Sequence, residues 1–526
     1  MASNPVYIAL AAAYFAGLMV AGVRSARHKG DSNQYLNATS SLPAWVCAAS
    51  SIAANCGSLD LFAMMALGAQ YGLLACHFYW IGSIPALLVA AFVLLPAYRR
   101  GRNPTVLDYI GRHYGDATRS LVALCMAAAM LLIAGVSLCA AAQTAAALLG
   151  WTYLEGLLAA AAIVLLYTWC GGFRATVYVE IFHFAFVLVA VVPLLFLVAG
   201  ELGGFGAMLA RIPASRAHAW RGLAFFAPHA VMDGFGLVFG LGLVLGCGYW
   251  STDFVQLQRA FAVRREEDAP LIPLSIGFAK LVFALLIALT GVAAPLVLSH
   301  TQRSRNWNAT LPDLMRHYDS PVWLAIGLMG LAASLISTFS NNVAGFTSAW
   351  VQGIYQRRIR PEASDAHYKL VSRLTNAGVV LLAVGTASFA LGFQSLMEYI
   401  QLILSTFNAP LFALVALAAL APRRAAASGR AGFLLGLACS ILHQVLALTH
   451  VLRYGSQMAA NFYGAVIGFC VALVSTLALG GLRTSAAAEP DLPWKTRLRA
   501  ASFRWPVVAA GMSLAVLFLL FNAIFW

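Results

Sequence analysis

Apolar segments long enough to cross a bilayer recur along the whole chain. A membrane-spanning helix needs about 20 consecutive, mainly apolar residues, and such runs recur from Tyr7 near the start to Phe525 near the end. The pattern predicts an all-α polytopic membrane protein with about 14 transmembrane helices. The predicted spans are 5–24, 41–71, 74–97, 119–148, 150–169, 176–200, 228–256, 271–299, 319–355, 370–394, 398–421, 431–451, 457–481 and 504–525.

The composition supports a lipid-embedded chain. Of the 526 residues, 61% are hydrophobic and only 10% are charged, and the mean hydropathy is +0.80, whereas soluble domains carry about 25% charged residues. If the N-terminus is outside, most of the 33 Lys and Arg residues fall in cytoplasmic loops, as the positive-inside rule requires. The net charge of +14 therefore sets orientation and indicates no nucleic-acid partner.

The first apolar segment is expected to be a retained helix that enters from outside. No basic residue precedes it, and basic residues follow it at 24–29, which is not the charge pattern of a cleaved signal peptide. The Ala-rich, Lys-poor composition favours a bacterial plasma membrane, the inner membrane. Direct contacts with lipid follow from the many apolar spans.

No loop is long enough to form a soluble domain, and no Gly-x-x-x-x-Gly-Lys phosphate-binding loop occurs. A fused kinase or nucleotidase is therefore not expected, and work against a gradient must be driven by another gradient. The sequence contains no recognisable motif that combines a nucleophile, a base and a group that orients the base. We therefore predict that the chain is not an enzyme.

Four ionisable residues, Asp60, Glu180, Asp253 and Lys280, lie in or beside apolar spans, where charges are costly and often functional. Asp60 ends the run Ala-Ala-Asn-Cys-Gly-Ser-Leu-Asp, in which small and polar residues interrupt the apolar pattern. The run indicates a broken transport helix whose freed carbonyls ligate an ion; the alternative is a continuous helix with a small-residue packing face. For Lys280 the alternatives are an ion pair or snorkelling to the interface.

The ninth predicted span contains a cluster of hydroxyl and amide side chains where Leu would be less costly. Ser334, Ser337 and Thr338 are spaced i, i+3, i+4 and therefore share one helix face. Hydroxyls and free carbonyls supply the hard oxygen ligands that sodium prefers. The alternative is that these hydroxyls only bond back to their own helix.

The segment 150–175 resembles a family signature. It reads Gly-x-x-Tyr, a small and aliphatic run, and then Tyr-Thr-Trp-Cys-Gly-Gly-Phe-Arg-Ala, which is similar to the sodium:solute symporters. Further stretches at 42–45, 249–259 and 353–355 resemble the same family in order and spacing.

The resemblance extends over roughly 41–421 and implies the inverted-repeat fold of the bacterial leucine transporter. In this fold two five-helix repeats of opposite topology hold ion and solute near the bilayer midplane. We therefore expect one transporter domain, 1–526, with a first repeat at 41–200, a second at 228–421, and peripheral segments at 1–40 and 422–526.

The resemblance also implies a sodium site, with Na⁺ as the co-transported ion and no organic cofactor. The family uses carbonyls from the broken second span, together with a carbonyl and two hydroxyls from the ninth, and places a carboxylate of the sixth span near them. The implied residues are Ala53 and Cys56 through carbonyls, Ser334 through a carbonyl or hydroxyl, Ser337 and Thr338 through hydroxyls, and Glu180 near the site.

At the implied substrate site the chain departs from sugar-transporting relatives. Leu59 and Asp60 replace a Glu-Gln pair, Tyr79 replaces a Glu and Gly246 replaces an Asn, so a sugar would lose hydrogen bonds. Lys280 is kept, and the resemblance places it close to Asp60, which favours a zwitterionic or amine-bearing substrate such as an amino acid derivative. The implied substrate residues are Asn55, Leu59, Asp60, Tyr79, Gly246 and Lys280, with Tyr249 and Trp250 as inner gate and with Asp253 and Arg259 in cytoplasmic contacts.

Together these observations predict sodium-coupled symport of a small polar organic solute by alternating access. One alternative is a proton-coupled carrier of the same fold that uses Glu180 or Asp60, although the Ser337-Thr338 pair favours sodium. A second alternative is a membrane sensor derived from a transporter, which the absence of a kinase or receiver domain disfavours.

Overall fold

The computed structural model describes residues 42–100, 105–170, 173–298, 307–318, 321–420, 428–481 and 504–526. Within these ranges the chain is helical, apart from loops and one isolated bridge between Leu42 and Val263. Nine of the described helices are long and apolar enough to cross a membrane, or ten if a bent pair forms one span. The polytopic all-α architecture is confirmed. The count of 14 spans is not, and the first predicted span, 5–24, lies outside the described residues.

Most helices coincide with the predicted apolar spans, and several continue through π-helical turns. We number them in chain order. They are α1 Ala44–Asn55, α2 Ser58–Tyr71, α3 His77–Val89 continued by Ala90–Leu94 and Leu95–Arg100, α4 Val106–Leu149, α5 Tyr153–Cys170, α6 Phe173–Glu201, α7 Phe205–Arg211, α8 Gly236–Gly246 continued by Cys247–Thr252, α9 Phe254–Phe261, α10 Leu271–Phe283 continued by Ala284–Ala288 and Leu289–Val297, α11 Thr310–His317, α12 Pro321–Trp350 continued by Val351–Ile359, α13 Asp365–Ala387, α14 Leu396–Leu420, α15 Gly429–Leu448, α16 Gln457–Gly481 and α17 Trp505–Ile524.

Two spans are broken. The predicted second span divides into α1 and α2 at Cys56 and Gly57, where Gly57 is extended with φ −75° and ψ −178°. The predicted seventh span bends by 54° between α8 and α9, where Asp253 caps α9 by accepting a hydrogen bond from the Gln256 amide at 2.7 Å. Each break frees backbone groups that a continuous helix would use internally.

The two broken spans are tied together at one end. The Leu42 amide donates to the Ala262 carbonyl at 3.0 Å, and the Arg264 amide donates to the Leu42 carbonyl at 2.8 Å. The start of α1 and the end of α9 are thereby held side by side.

Small residues let the central helices approach closely. A methyl group on Gly68 of α2 would collide with the α10 backbone near Ala288, and one on Gly291 of α10 would collide with the α2 backbone at Met65. Backbone contact through glycine is a common way for helices to associate in a bilayer. Because α2 is buried along most of its length, the break before it lies inside the bundle.

Candidate functional site

A cavity of about 180 Å³ lies where the two breaks meet α3, α10, α12 and α14. Every residue that the sequence predicts for the substrate site or the inner gate lines this one cavity, although these residues come from five helices. They are Asn55, Leu59, Asp60, Tyr79, Gly246, Tyr249, Trp250 and Lys280.

Oxygen atoms from α1 and α12 converge on Gly57 at the first break. A methyl group on Gly57 would lie 2.9 Å from the Ser334 Oγ, 3.1 Å from the Ala53 carbonyl oxygen and 3.4 Å from the Thr338 Oγ1. The side-chain oxygens come from α12 and the carbonyl from α1. Glycine therefore leaves a small space bounded by hard oxygen atoms, which is the chemistry that a sodium ion needs. We call this space the ion cradle.

The three hydroxyls of α12 that the sequence assigns to the sodium site differ in their hydrogen bonds. The Ser334 Oγ accepts the Ser58 amide at 2.7 Å, and Thr338 donates to the Ser334 carbonyl at 3.0 Å. The Ser337 Oγ is buried without a hydrogen-bond partner among the described residues. A buried hydroxyl without a partner is costly, and a bound cation would satisfy its oxygen. Cys56 continues α1 by donating its amide to the Ile52 carbonyl at 2.7 Å, so its carbonyl is at the break.

The Ser334 hydroxyl also caps the N-terminus of α2, whose own N-cap residue is Gly57, although Ser334 lies 276 residues from Ser58 in sequence. Replacing Ser334 with Ala should lower the free energy of unfolding by about 1 kcal/mol, as the loss of an N-cap usually does. The thermal unfolding of the purified variant tests this value. Ser340→Ala, in the same helix at a buried position that caps no helix end, is the control and should change stability less. Equal effects would argue against the cap.

Asp60 and Lys280 form an ion pair in the cavity wall. The Lys280 Nζ lies 3.0 Å from the Asp60 Oδ2, so the proximity implied by the family resemblance is confirmed. The Tyr79 hydroxyl donates to the same oxygen at 2.6 Å, and the Lys280 ammonium lies 4.3 Å from the centre of the Tyr79 ring. These three residues form one cluster, which we call the charge cluster.

Gly246 serves helix packing rather than side-chain recognition. A methyl group there would collide with the carbonyl oxygen of Gly82 in α3. The Asn that the family resemblance implies for sugar transporters at this position would have no room in this backbone arrangement. The close contact between α3 and α8 therefore requires glycine at position 246 and does not admit the polar side chain expected in a sugar transporter.

The residues of the predicted inner gate line the same cavity as the charge cluster. The Asn55 Nδ2 is 3.5 Å from the Tyr249 hydroxyl, and the Tyr249 and Trp250 rings meet edge to face at 5.1 Å. The end of α1 and the end of α8 are joined through this contact. Leu59 is buried and supplies an apolar part of the wall.

Glu180 is the centre of a buried polar network on four helices. Its Oε1 lies 2.5 Å from the Arg259 Nη2, and the exposed fractions of the Glu180 and Arg259 side chains are 1% and 0%. Ser50 donates to the Oε2 at 2.5 Å, and Asn341 also donates to the Oε1. Ser50 is one turn before Ala53 and Asn341 is one turn after Thr338 on their helices. The network therefore lies next to the ion cradle.

The structure places Arg259 and Asp253, which the sequence assigns to cytoplasmic contacts, inside the helix bundle. The 54° bend turns α9 inward, so Arg259 is fully buried against Glu180. Asp253 lines the cavity and caps α9. Asp253 lies near the end of the predicted seventh span and Arg259 lies just beyond it, and the sequence does not show the bend between α8 and α9.

Several polar residues of the cavity were not predicted. Gln256 of α9 and Gln401 of α14 line it, and both are nearly fully buried. Gln401 follows the acidic residue Glu398 inside an apolar span, and polar residues in such spans are a signal of function. Asn341 and Asn342 belong to the polar cluster of the ninth span and line the cavity as well.

Comparison with known proteins gives consistent results. The sequence profile of the "Sodium:solute symporter family" matches residues 35–436. The sodium/glucose cotransporter of Vibrio parahaemolyticus is 23% identical over 406 residues, covering 73% of this chain and 74% of that protein. Sodium/glucose cotransporter 1 of Mus musculus is 23% identical over 535 residues, covering 91% and 79%.

A solved structure has a similar fold. The substrate-bound, outward-open state of a Na⁺-coupled sialic acid symporter superposes with a TM-score of 0.76 at 16% identity, covering 92% of this chain and 99% of that one. At this identity the likeness concerns the fold alone. It agrees with the leucine-transporter-like helical bundle expected from the sequence, and that fold class is confirmed.

Proposed function

Because the chain belongs to the sodium:solute symporter family, we propose that it couples the entry of sodium to the uptake of a small polar organic solute by alternating access. As a member of this family it is a multi-pass membrane transporter and not an enzyme, with sodium as the co-transported ion. The identity of the solute and the residues that bind it are the subject of the proposal.

The convergence of oxygens on Gly57 carries the proposal. In it, sodium binds the carbonyls of Ala53 and Cys56 on α1 and the hydroxyls of Ser337 and Thr338 on α12. Ser334 contributes its carbonyl, since its hydroxyl caps α2. An ion in this position joins the first broken span to α12, so sodium stabilises the arrangement that receives the solute. Each ligand then favours the same occluded state, which couples the two binding events.

Sodium is favoured over a proton as the coupling ion. The two carboxylates considered as proton sites, Asp60 and Glu180, are each paired with a basic side chain. Protonation of either would leave a buried cation uncompensated. The cradle, in contrast, offers oxygens without a fixed positive charge.

The charge cluster supports a zwitterionic or amine-bearing solute, such as an amino acid derivative. The cavity holds both signs of charge within one ion pair, and a sugar has no charge to offer either partner.

The proposal also includes the topology. Residues 41–200 and 228–421 form the two inverted repeats, and 1–40 and 422–526 are peripheral. The basic loops face the cytoplasm of a bacterial inner membrane, and the N-terminus is outside.

Replacing Ser337 and Thr338 together with Ala tests the sodium site. In proteoliposomes containing purified protein, uptake of a labelled amino acid and sugar panel is measured with and without an inward sodium gradient. We expect sodium-driven uptake by the wild type and at least a tenfold higher half-saturating sodium concentration in the double variant, equal to about 1.4 kcal/mol.

Ser405→Ala/Thr406→Ala is the matched control, because this pair is also buried in a span but bonds to the carbonyl of Leu402 in α14. Its sodium dependence should equal that of the wild type. Uptake that follows a pH gradient and ignores sodium would instead support the proton carrier. Absence of any uptake would favour the sensor.

A further inference from the structure

The two oxygens of Asp60 have different surroundings. The Oδ2 accepts both the Tyr79 hydroxyl at 2.6 Å and the Lys280 ammonium at 3.0 Å. The Oδ1 accepts no hydrogen bond from any residue that the structure describes. Since Asp60 lines the cavity, the Oδ1 is an acceptor available to a solute.

Lys280 lies behind this carboxylate. The exposed fraction of its side chain is 5%, against 17% for Asp60. Its ammonium is held by the Asp60 Oδ2 and by the face of the Tyr79 ring at 4.3 Å. To contact a solute carboxylate directly, Lys280 would have to give up both an ion pair and a cation–π contact in a largely desolvated place. The cavity therefore presents the carboxylate to a solute before the ammonium.

Three amide oxygens elsewhere in the lining also have no hydrogen-bond donor among the described residues. The Asn55 Oδ1, the Gln256 Oε1 and the Gln401 Oε1 are buried without a donor among the described residues, and all three residues line the cavity. The charged residues of the lining are Asp60, Asp253 and Lys280, so the acidic groups exceed the basic ones by one. A solute that brings N–H donors and a positive charge would satisfy both the acceptors and the charge.

We propose that the solute binds through a protonated primary or secondary amine, which donates an N–H to the Asp60 Oδ1. Lys280 and Tyr79 are positioning residues that hold the other oxygen and keep the carboxylate in place. The inference rests on the proposed symport function. Of the two charged residues proposed to contact the solute, Asp60 and Lys280, it selects Asp60 as the direct contact. It excludes a quaternary ammonium, which has no N–H, and a carboxylic acid without an amine.

The test uses wild-type protein in proteoliposomes and measures the initial rate of uptake of each labelled solute with and without an inward sodium gradient. Each carbon skeleton is supplied as the amine, the N-trimethyl derivative, the deaminated acid and the hydroxy acid: alanine, alanine betaine, propionate and lactate, and the corresponding series from γ-aminobutyrate. Putrescine, proline and galactose complete the panel. Within a transported series, we expect the sodium-dependent uptake of the amine to be at least ten times faster than that of the other three forms.

Failure of the inference and failure of the symporter give different results. Sodium-dependent uptake of galactose, a betaine or a deaminated acid, with none of any amine, overturns the inference and leaves sodium symport intact. Absence of sodium-dependent uptake for every compound counts against both.

Asp60→Asn tests the assigned contact. The neutral amide removes the charge that attracts the amine and releases Lys280 from its ion pair. We expect the half-saturating amine concentration to rise at least a hundredfold, and propionate, without effect on the wild type, to become an inhibitor. A merely structural role of Asp60 would not create this preference for an anion.

Lys280→Met separates a positioning role from direct contact. We expect weaker binding of the amine but an unchanged preference for the amine over its deaminated acid. Lys280→Arg should restore part of the affinity. If the preference for the amine over its deaminated acid were lost in Lys280→Met and kept in Asp60→Asn, the solute would contact Lys280 directly. This result would overturn the inference.

Discussion

Replacing Arg259 with Met is expected to destabilise the protein by about 3–5 kcal/mol, the cost of removing one partner from a buried ion pair. The substitution leaves the Glu180 carboxylate buried, with Ser50 and Asn341 as donors but without its cation. Because both side chains of the pair are at most 1% exposed, water does not replace the guanidinium. Thermal or denaturant unfolding of the purified protein in detergent, followed by tryptophan fluorescence, measures the change.

Two controls show whether the unpaired charge is the cause. Glu180→Gln in addition to Arg259→Met removes the charge, so the double variant should recover most of the lost stability. Arg504→Met removes the shared partner of Glu267 and Asp268 near the surface, where the Arg504 side chain is about half exposed, and should change stability by less than about 1 kcal/mol. If Arg259→Met and Arg504→Met had similar small effects, the buried network would not stabilise the fold.

The network also connects stability to function. Glu180 lies on α6, Arg259 on α9, Ser50 on α1 and Asn341 on α12, and α1 and α12 carry the cradle one turn away. A carboxylate held by a fixed cation does not need an ion for neutralisation. In this structure the network therefore orients the helices of the cradle, and the cradle itself remains the place for a mobile cation.

Much of this arrangement was predictable from sequence because it depends on local pattern. Long apolar runs predict spans, since a lipid environment allows few charges within them. The small and polar residues from Ala53 to Asp60 predict the first break, and the break is observed at Cys56 and Gly57. The spacing of Ser334, Ser337 and Thr338 predicts a shared helix face, and the family resemblance implies that this face is directed at the break.

Other features depend on three-dimensional relations that local pattern does not contain. The inward course of Arg259 results from a bend of 54°, and the same residues would read as a loop if α8 ended at the membrane surface. The family resemblance placed Lys280 near Asp60, but only the geometry shows that Tyr79 joins them and that Lys280 lies behind. Likewise, the sequence shows Gly246 as a lost polar group, whereas the structure shows a close helix contact.

Replacing Gly57 with Ala is expected to abolish most sodium-driven uptake, because the added methyl group enters the ion cradle. It would lie 2.9 Å from the Ser334 Oγ and 3.1 Å from the Ala53 carbonyl oxygen, closer than a carbon atom normally approaches either. The backbone is not the obstacle, since φ of −75° and ψ of −178° are accessible to alanine. A loss of sodium-driven uptake in Gly57→Ala would therefore result from filling the space between the oxygens and not from backbone strain.

Uptake into proteoliposomes at increasing sodium concentration measures this effect, and we expect the half-saturating concentration to rise at least tenfold, or about 1.4 kcal/mol. Gly385→Ala is the matched control, because a methyl group in that part of α13 meets no atom within 4 Å, and alanine in a helix is more stable than glycine by about 0.5–1 kcal/mol. That variant should keep the sodium dependence of the wild type. If Gly57→Ala also kept it while folding normally, the converging oxygens would not form the coupling site, and sodium would have to bind elsewhere in the bundle.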